Sequence, residues 1–178
     1  MQATGVRGVQ QAKPLVRPPD ALTVLRIPLA VAFVAVEQPW GRLGIVLAAA
    51  ASDFIDGVWA RRIGGSRVGA VLDPVCDKLF MLAAFVTVLQ SGVLSIVEVA
   101  AVLLRDILAA IGFLGTLVLR RPTTLPARAG GKIVTVVQLL TLVAFVLGSD
   151  LVRPLAWATA GISVYAAIDY ARAARRSR

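Results

Sequence analysis

The sequence DFIDGVWAR occupies residues 53–61, and GAVLDPVCD follows at residues 69–77. Together the two segments carry four aspartates, which are Asp53, Asp56, Asp73 and Asp77. The members of each pair are three or four residues apart, so each pair shares one face if its segment is helical. Carboxylates in apolar surroundings are costly and repel one another. We therefore expect a positive charge close to the four aspartates that offsets their negative charge.

The composition around these segments is that of a membrane protein. The chain has 178 residues, 58% hydrophobic and 16% charged, with a mean hydropathy of +0.81. Soluble domains are about 45–50% apolar and about 25% charged. These values exclude a disordered chain, a basic nucleic-acid-binding domain and an ordinary cytosolic enzyme. Histidine is absent and Cys76 is the single cysteine, which excludes an internal disulfide and a thiolate metal cluster.

Apolar runs of about 20 residues are long enough to cross a bilayer. We predict an all-α integral membrane protein with six transmembrane helices and a cytoplasm-facing polar cavity. The predicted spans are Ala21–Val36, Leu43–Ala60, Gly69–Gln90, Val93–Leu119, Ile133–Gly148 and Leu151–Tyr170. A basic N-terminal tail at residues 1–20 precedes the six-helix domain at 21–171, and a basic C-terminal tail follows at 172–178.

The basic residues predict the orientation of these spans. Fourteen of the 19 lie in the two tails and in the loops after the second and fourth spans, whereas the opposite loops hold only Arg42 and Arg153. The positive-inside rule then places both termini and the aspartates on the cytoplasmic side of the cell (inner) membrane. The net charge of +9 indicates contact with anionic lipid rather than with nucleic acid.

The residues around the aspartates indicate what the site could bind. Clustered carboxylate oxygens suit a hard divalent cation such as Mg²⁺ or Mn²⁺, especially where substrate phosphates complete the coordination. Gly57, Ala60 and Gly69 are small and would let a flat or bulky ligand approach the helices. Arg61 carries a charge suited to a diphosphate.

Two other interpretations of the same residues remain open at this point. The aspartates could pair with Arg61, Arg62 and Lys78 and serve only helix packing, and the glycines could serve close helix contacts. Carboxylates within a membrane also mark ion pathways, which would make the protein a cation-coupled membrane transporter.

The pattern D-x2-D-G-x2-A-R, followed by G-x3-D-x3-D, resembles the hallmark of the CDP-alcohol phosphatidyltransferases. The resemblance covers about residues 19–172 and includes the six-span topology. Leu22–Arg26 is similar to the opening of the family's first helix, although Asp20 stands where an asparagine is common. Seven residues separate Arg61 from Gly69, where the family usually has eight, so we expect a tighter loop.

The resemblance implies transfer of a phosphatidyl group from CDP-diacylglycerol to an alcohol, with release of CMP. It implies that the four aspartates hold two Mg²⁺ or Mn²⁺ ions and that Asp77 is also the general base for the acceptor hydroxyl. It implies a homodimer, as is common in the family. The residues that would shape the CDP site are Gly57, Ala60, Arg61 and Gly69.

The acceptor is less firmly indicated. Arg105 and Lys132 could hold an acceptor phosphate. Alternatively, Arg105 pairs with Asp106 or with an aspartate of the cluster, and Lys132 is an interfacial lysine. The sequences around both residues resemble the glycerol-directed branch, which favours glycerol 3-phosphate, with phosphatidylglycerol in cardiolipin synthesis second. Inositol phosphate and serine stay open, and the transporter alternative predicts transport without CMP release.

Overall fold

A computed structural model of the chain describes residues 15, 18–63, 66, 68–119 and 129–176. Within these residues there are six α-helices and no β-strand, which confirms the prediction of an all-α fold. The helices are α1 (Pro18–Ala35), α2 (Pro39–Ile63), α3 (Gly69–Gln90), α4 (Ile96–Leu119), α5 (Ala129–Val146) and α6 (Val152–Arg176).

Most helix ends differ from the predicted spans by a few residues, and two of these differences have simple reasons. Helix α2 begins at Pro39 rather than at Leu43, because proline in the first turn lacks only an N–H that would have no partner within the helix. Helix α6 continues to Arg176, through most of the predicted C-terminal tail, because alanine and arginine favour helix.

The helices pack so that the polar segments of the first three meet. Helix α1 lies against α3 and α2, α4 packs on α6 and α3, and α5 packs on α6. Phe33 of α1 is fully buried, and its ring meets that of Phe80 edge-on, with centroids 6.1 Å apart. The N-terminal half of α1 contacts the C-terminal half of α2, which carries the first aspartate pair, and the N-terminal half of α3, which carries the second.

The apolar character of the helices is uneven. By length and composition, α1 is the one helix among the described residues that is apolar enough to cross a bilayer, and residues 133–146 form a shorter apolar segment. Helix α3 nevertheless exposes a stripe of apolar side chains, Val71, Val75, Leu79, Leu82 and Val86. The six predicted membrane spans stay a prediction.

Candidate active site

The buried face of α1 carries three polar side chains, Asp20, Thr23 and Arg26. They are spaced three residues apart and lie on one side of the helix. Their exposed fractions are 6%, 1% and 2%, which is unusual for polar groups in a helix as apolar as α1. This face is where α1 meets α2 and α3.

Arg26 is the cationic partner of both aspartates of α2. Its Nη2 atom lies 2.9 Å from Oδ1 of Asp53 and also contacts Oδ2 of Asp56. The Asp56 side chain is 7% exposed, whereas that of Asp53 is 58% exposed. A buried carboxylate needs a close opposite charge to stay ionised. Arg26 therefore supplies a positive charge that the acid pair requires.

Thr23 joins the two aspartate pairs. Its hydroxyl lies 3.1 Å from Oδ2 of Asp56 on α2 and also contacts Oδ1 of Asp73 on α3. A hydroxyl has one proton to donate, so it can donate to only one of the two carboxylates at a time. The shared contact brings one aspartate from each pair to the same point on α1.

Asp77 lies one turn further along α3 and has a different partner. Its Oδ2 atom is 3.0 Å from Nζ of Lys78, and the same ammonium group lies 2.7 Å from Oδ1 of Asp106 on α4. Lys78 therefore bridges the fourth aspartate of the motif to a carboxylate outside it. The Asp77 side chain is 29% exposed, so one side of its carboxylate can be reached from outside.

Asp106 is the centre of a second polar cluster. Besides Lys78, its carboxylate contacts Nη1 of Arg105 at 3.0 Å and accepts a hydrogen bond of 2.7 Å from Nε2 of Gln138 on α5. The Arg105 pair is one of the two alternatives that the sequence left open. The Nε atom of Arg105 is buried without a hydrogen-bond partner, so the guanidinium keeps a donor unused.

The donor set can be tested for its fit to a divalent cation. Asp53, Asp56 and Asp73 offer carboxylate oxygens, which match Mg²⁺ or Mn²⁺ in chemical type. Among the described residues, however, no group of three or more histidine, cysteine, aspartate or glutamate side chains is close enough to hold a metal. Arg26 and Thr23 lie between the carboxylates instead. The carboxylates are therefore of the chemical type that binds the cation. In this structure, their distances from one another are determined by Arg26 and Thr23 of α1, which lie between them.

The first glycine proposed for the CDP site leaves space next to an arginine. A Cβ atom built on Gly57 would lie 3.6 Å from Nη1 of Arg61, so the guanidinium folds back over this glycine. The Arg61 side chain is exposed. The side chains of Ala60 and Lys132 lie outside the described part of the structure, and the predictions made for them stay predictions.

Gly69 is required by packing within the protein. A Cβ atom at this position would collide with the Asp20 carboxylate and would lie 2.9 Å from Oγ of Ser66. Ser66 donates a hydrogen bond of 2.7 Å to Oδ2 of Asp20 and accepts one of 2.6 Å from the N–H of Gly69. Asp20 thus holds Ser66, whose hydroxyl accepts a hydrogen bond from the N–H of the first residue of α3.

The sequence patterns assign no role to several residues that the structure brings into the site. Thr23 and Ser66 have short hydroxyl side chains that many packed helices contain, so neither gives a signal on its own. Arg26 and Asp106 do give one, because an ionisable residue within an apolar helix is by default a candidate for function. Gln138, which is fully buried on α5, is a weaker signal of the same kind.

A profile of the CDP-alcohol phosphatidyltransferase family matches residues 17–168. The chain therefore belongs to the CDP-alcohol phosphatidyltransferase family. The matched range contains all four aspartates and the residues of α1 that contact three of them.

Individual relatives carry two kinds of name. A putative cardiolipin synthase of Mycobacterium tuberculosis is 37% identical over 123 residues, which cover 66% of this chain and 58% of the relative. A CDP-diacylglycerol–glycerol-3-phosphate 3-phosphatidyltransferase of Aquifex aeolicus is 33% identical over 130 residues, or 70% of this chain and 72% of the relative. A cardiolipin synthase (CMP-forming) of Oryza sativa is 39% identical over 98 residues, or 47% and 30%. The chain spans 58% of the length of the mycobacterial protein.

Proposed function

We propose that this protein transfers a phosphatidyl group from CDP-diacylglycerol to glycerol 3-phosphate, giving phosphatidylglycerophosphate and CMP. The observation that carries the proposal is the convergence of Asp53, Asp56 and Asp73 on α1 in a chain of this family. The acceptor rests on the name of the relative from Aquifex aeolicus, of which the chain covers 72%.

The four aspartates would bind the donor's diphosphate through a metal. Two bound Mg²⁺ or Mn²⁺ ions would neutralise the diphosphate and the charge that develops at the transferred phosphorus. Asp53, Asp56, Asp73 and Asp77 would hold them. Arg26 and Thr23 would keep the first three carboxylates in place, because both side chains are buried and each contacts two carboxylates.

The transfer itself needs a base. The acceptor hydroxyl forms a bond to the phosphorus of the phosphatidyl group, the bond from that phosphorus to the CMP oxygen breaks, and CMP leaves. Asp77 would take the hydroxyl proton. Its partial exposure and its position one turn from Asp73 suit this role.

Other residues would bind the two substrates. Gly57, Ala60, Arg61 and Gly69 would shape the CDP site, with the exposed guanidinium of Arg61 directed to the diphosphate. Arg105 and Lys132 would hold the phosphate of the acceptor. The unused donor of Arg105 supports this assignment even though the side chain also pairs with Asp106.

A second candidate acceptor is phosphatidylglycerol, which would make the protein a cardiolipin synthase. The names of the Mycobacterium tuberculosis and Oryza sativa relatives favour it. Inositol phosphate and serine are further acceptors within the family, and a cation-coupled transporter is the alternative from another class.

The membrane arrangement is also part of the proposal. Six spans would place both termini and the acid cluster on the cytoplasmic side of the inner membrane, so that the acyl chains stay in the bilayer while CDP stays in water. The protein would be a homodimer in contact with anionic lipid. Labelling of Arg42→Cys and Arg61→Cys in intact cells, in a Cys76→Ala background, tests the sidedness. We expect only Arg42→Cys to react with an impermeant reagent.

The transferase activity is tested by CMP release from CDP-diacylglycerol with Mg²⁺ or Mn²⁺. Glycerol 3-phosphate, phosphatidylglycerol, inositol phosphate and serine are supplied in separate reactions, and the lipid product is identified by mass spectrometry. We expect release with glycerol 3-phosphate. Release with phosphatidylglycerol alone would make the protein a cardiolipin synthase, and transport without CMP release would favour the transporter.

The base assignment has its own variant. Asp77→Asn keeps the size of the side chain but cannot accept the proton, so CMP release should fall by about 10²–10⁴-fold. Asp150→Asn, an exposed aspartate in the turn before α6, is the matched control and should be as active as the wild type. If Asp77→Asn keeps more than about a tenth of the activity, the base is another group.

A further inference from the structure

Asp106 is a buried carboxylate on α4 that lies outside the aspartate motif. Its side chain is 6% exposed, and its oxygens have partners on three helices. Oδ1 contacts Nζ of Lys78 on α3 at 2.7 Å and Nη1 of Arg105 at 3.0 Å, while Oδ2 accepts the bond from Nε2 of Gln138 on α5. A carboxylate used on both oxygens in this way has little freedom to rotate.

Gln138 fixes the direction of that carboxylate. It is fully buried, and its Nε2 group donates both to Asp106 and to the backbone carbonyl of Val102, at 2.7 and 3.1 Å. Val102 lies one turn before Asp106 on the same helix. The amide therefore spans one turn of α4 and holds Asp106 from the α5 side.

Lys78 connects the Asp106 carboxylate to the acid cluster. Its ammonium lies between Asp106 and Oδ2 of Asp77, 2.7 Å from the first and 3.0 Å from the second. A lysine side chain has many rotamers, and a single exposed ion pair rarely fixes one of them. Two carboxylates on different helices fix the ammonium because they restrain it from two directions.

We propose that Asp106, oriented by Gln138, is a positioning residue that holds Lys78 against Asp77 and thereby fixes the orientation of the Asp77 carboxylate. The inference rests on the proposed function, in which Asp77 accepts the proton of the acceptor hydroxyl. Proton transfer and attack require the reacting groups to be aligned, and a displacement of about 1 Å can cost about 10²-fold in rate. Asp106 would therefore act on the rate of transfer through the position of Asp77.

The test compares Asp106→Asn with a matched control on the same helix. Glu98→Gln also removes a largely buried carboxylate from α4, one that lies in the first turn of the helix and pairs with Arg153 at 3.6 Å. CMP release gives kcat and both KM values per folded protein, and thermal unfolding gives the stability. We expect Asp106→Asn to lower kcat per folded protein by about 10–100-fold. Glu98→Gln should keep the wild-type kcat.

A second set of variants tests the route through Lys78. If Asp106 acts by holding Lys78, the losses in kcat for Asp106→Asn and Lys78→Met should not multiply. The kcat of the double variant should equal that of the less active single variant. Gln138→Leu should lower kcat in the same direction, because it frees the Asp106 carboxylate. A merely structural role would lower the unfolding temperature and leave kcat per folded protein unchanged.

The outcomes separate this inference from the function on which it rests. An active wild type with an unchanged kcat in Asp106→Asn overturns the inference alone, and so do losses that multiply in the double variant. A folded wild type that releases no CMP with any acceptor overturns the proposed function and this inference together.

Discussion

Replacing Arg26 with methionine tests the charge balance of the acid cluster. Methionine keeps most of the apolar stem of arginine and removes the guanidinium. The change would leave Asp53 and Asp56 without the group that contacts both of them. Because Asp56 is 7% exposed, it would have to remain as a buried charge without its cationic partner or take up a proton.

The size of the effect follows from burial. Removing one partner of a buried ion pair costs about 3–5 kcal/mol. The Asp53 side chain is 58% exposed, so water replaces much of its interaction and the lower end, about 3 kcal/mol, applies. For a chain of this size the corresponding fall in unfolding temperature is about 6–12 °C.

A second arginine provides the control. Arg42 donates a hydrogen bond of 2.6 Å from Nε to the carbonyl of Val36, and its guanidinium lies 5.5 Å from the ring centroid of Phe33. These contacts contribute about 1 kcal/mol. Arg42→Met should therefore lower the unfolding temperature by about 2–4 °C.

Thermal unfolding of the purified protein in detergent, followed by tryptophan fluorescence, measures both changes. The double variant Arg26→Met/Asp56→Asn should regain part of the lost stability, because it removes the carboxylate left without a partner. The reasoning is refuted if the unfolding temperature of Arg26→Met is no lower than that of Arg42→Met. It is also refuted if the double variant unfolds at a lower temperature than Arg26→Met.

Two further substitutions examine the contacts of α1. Gly69→Ala places a Cβ atom against the Asp20 carboxylate, so it should lower the stability by about 1–3 kcal/mol and should also lower CMP release. In the control Gly112→Ala the added Cβ has open space, so this variant should be as stable as the wild type or slightly more stable. Equal unfolding temperatures for the two alanine variants would contradict the packing described for Gly69. Thr23→Val removes the hydroxyl shared by two carboxylates and should weaken Mn²⁺ binding, measured by electron paramagnetic resonance, by about 10–100-fold, while Thr23→Ser should bind like the wild type. If Thr23→Val binds Mn²⁺ as tightly as the wild type, the hydroxyl makes no contribution to the metal site.

Spacing predicts which aspartates share a helix face, and the sequence offers Lys78, which contacts Asp77, as a possible partner. Spacing does not predict that Arg26 contacts Asp53 and Asp56. Spacing determines which residues share a helix face, and this information is local. Arg26 belongs to another helix, and apolar side chains such as Val24, Leu25 and Ile27 surround α1 on its exposed sides. Periodicity therefore does not reveal which face of α1 is buried. Only the packing of α1 against α2 and α3 determines that face.

The pairing of Arg105 with Asp106 is one of the alternatives that the sequence offers, and the structure shows it, but the sequence does not predict the other partners of Asp106. The two neighbours do not share a helix face, because adjacent residues point about 100° apart. The long arginine side chain nevertheless reaches back to the carboxylate, at 3.0 Å. Lys78 and Gln138 approach the same carboxylate from α3 and α5. The sequence contained each of these residues but not their meeting point.

The order of the contacts along the chain has a consequence for how new family members can arise. Side chains of α1 hold Asp53, Asp56 and Asp73, and these elements are contiguous in residues 18–90. Asp106 and Gln138 come from the next two helices, within residues 96–146. Under the proposed function, recombination that exchanges residues 96–146 would change the part of the site that binds the acceptor and leave the part that binds the donor unchanged. Lys78 would then be the junction at which the two inherited parts must match.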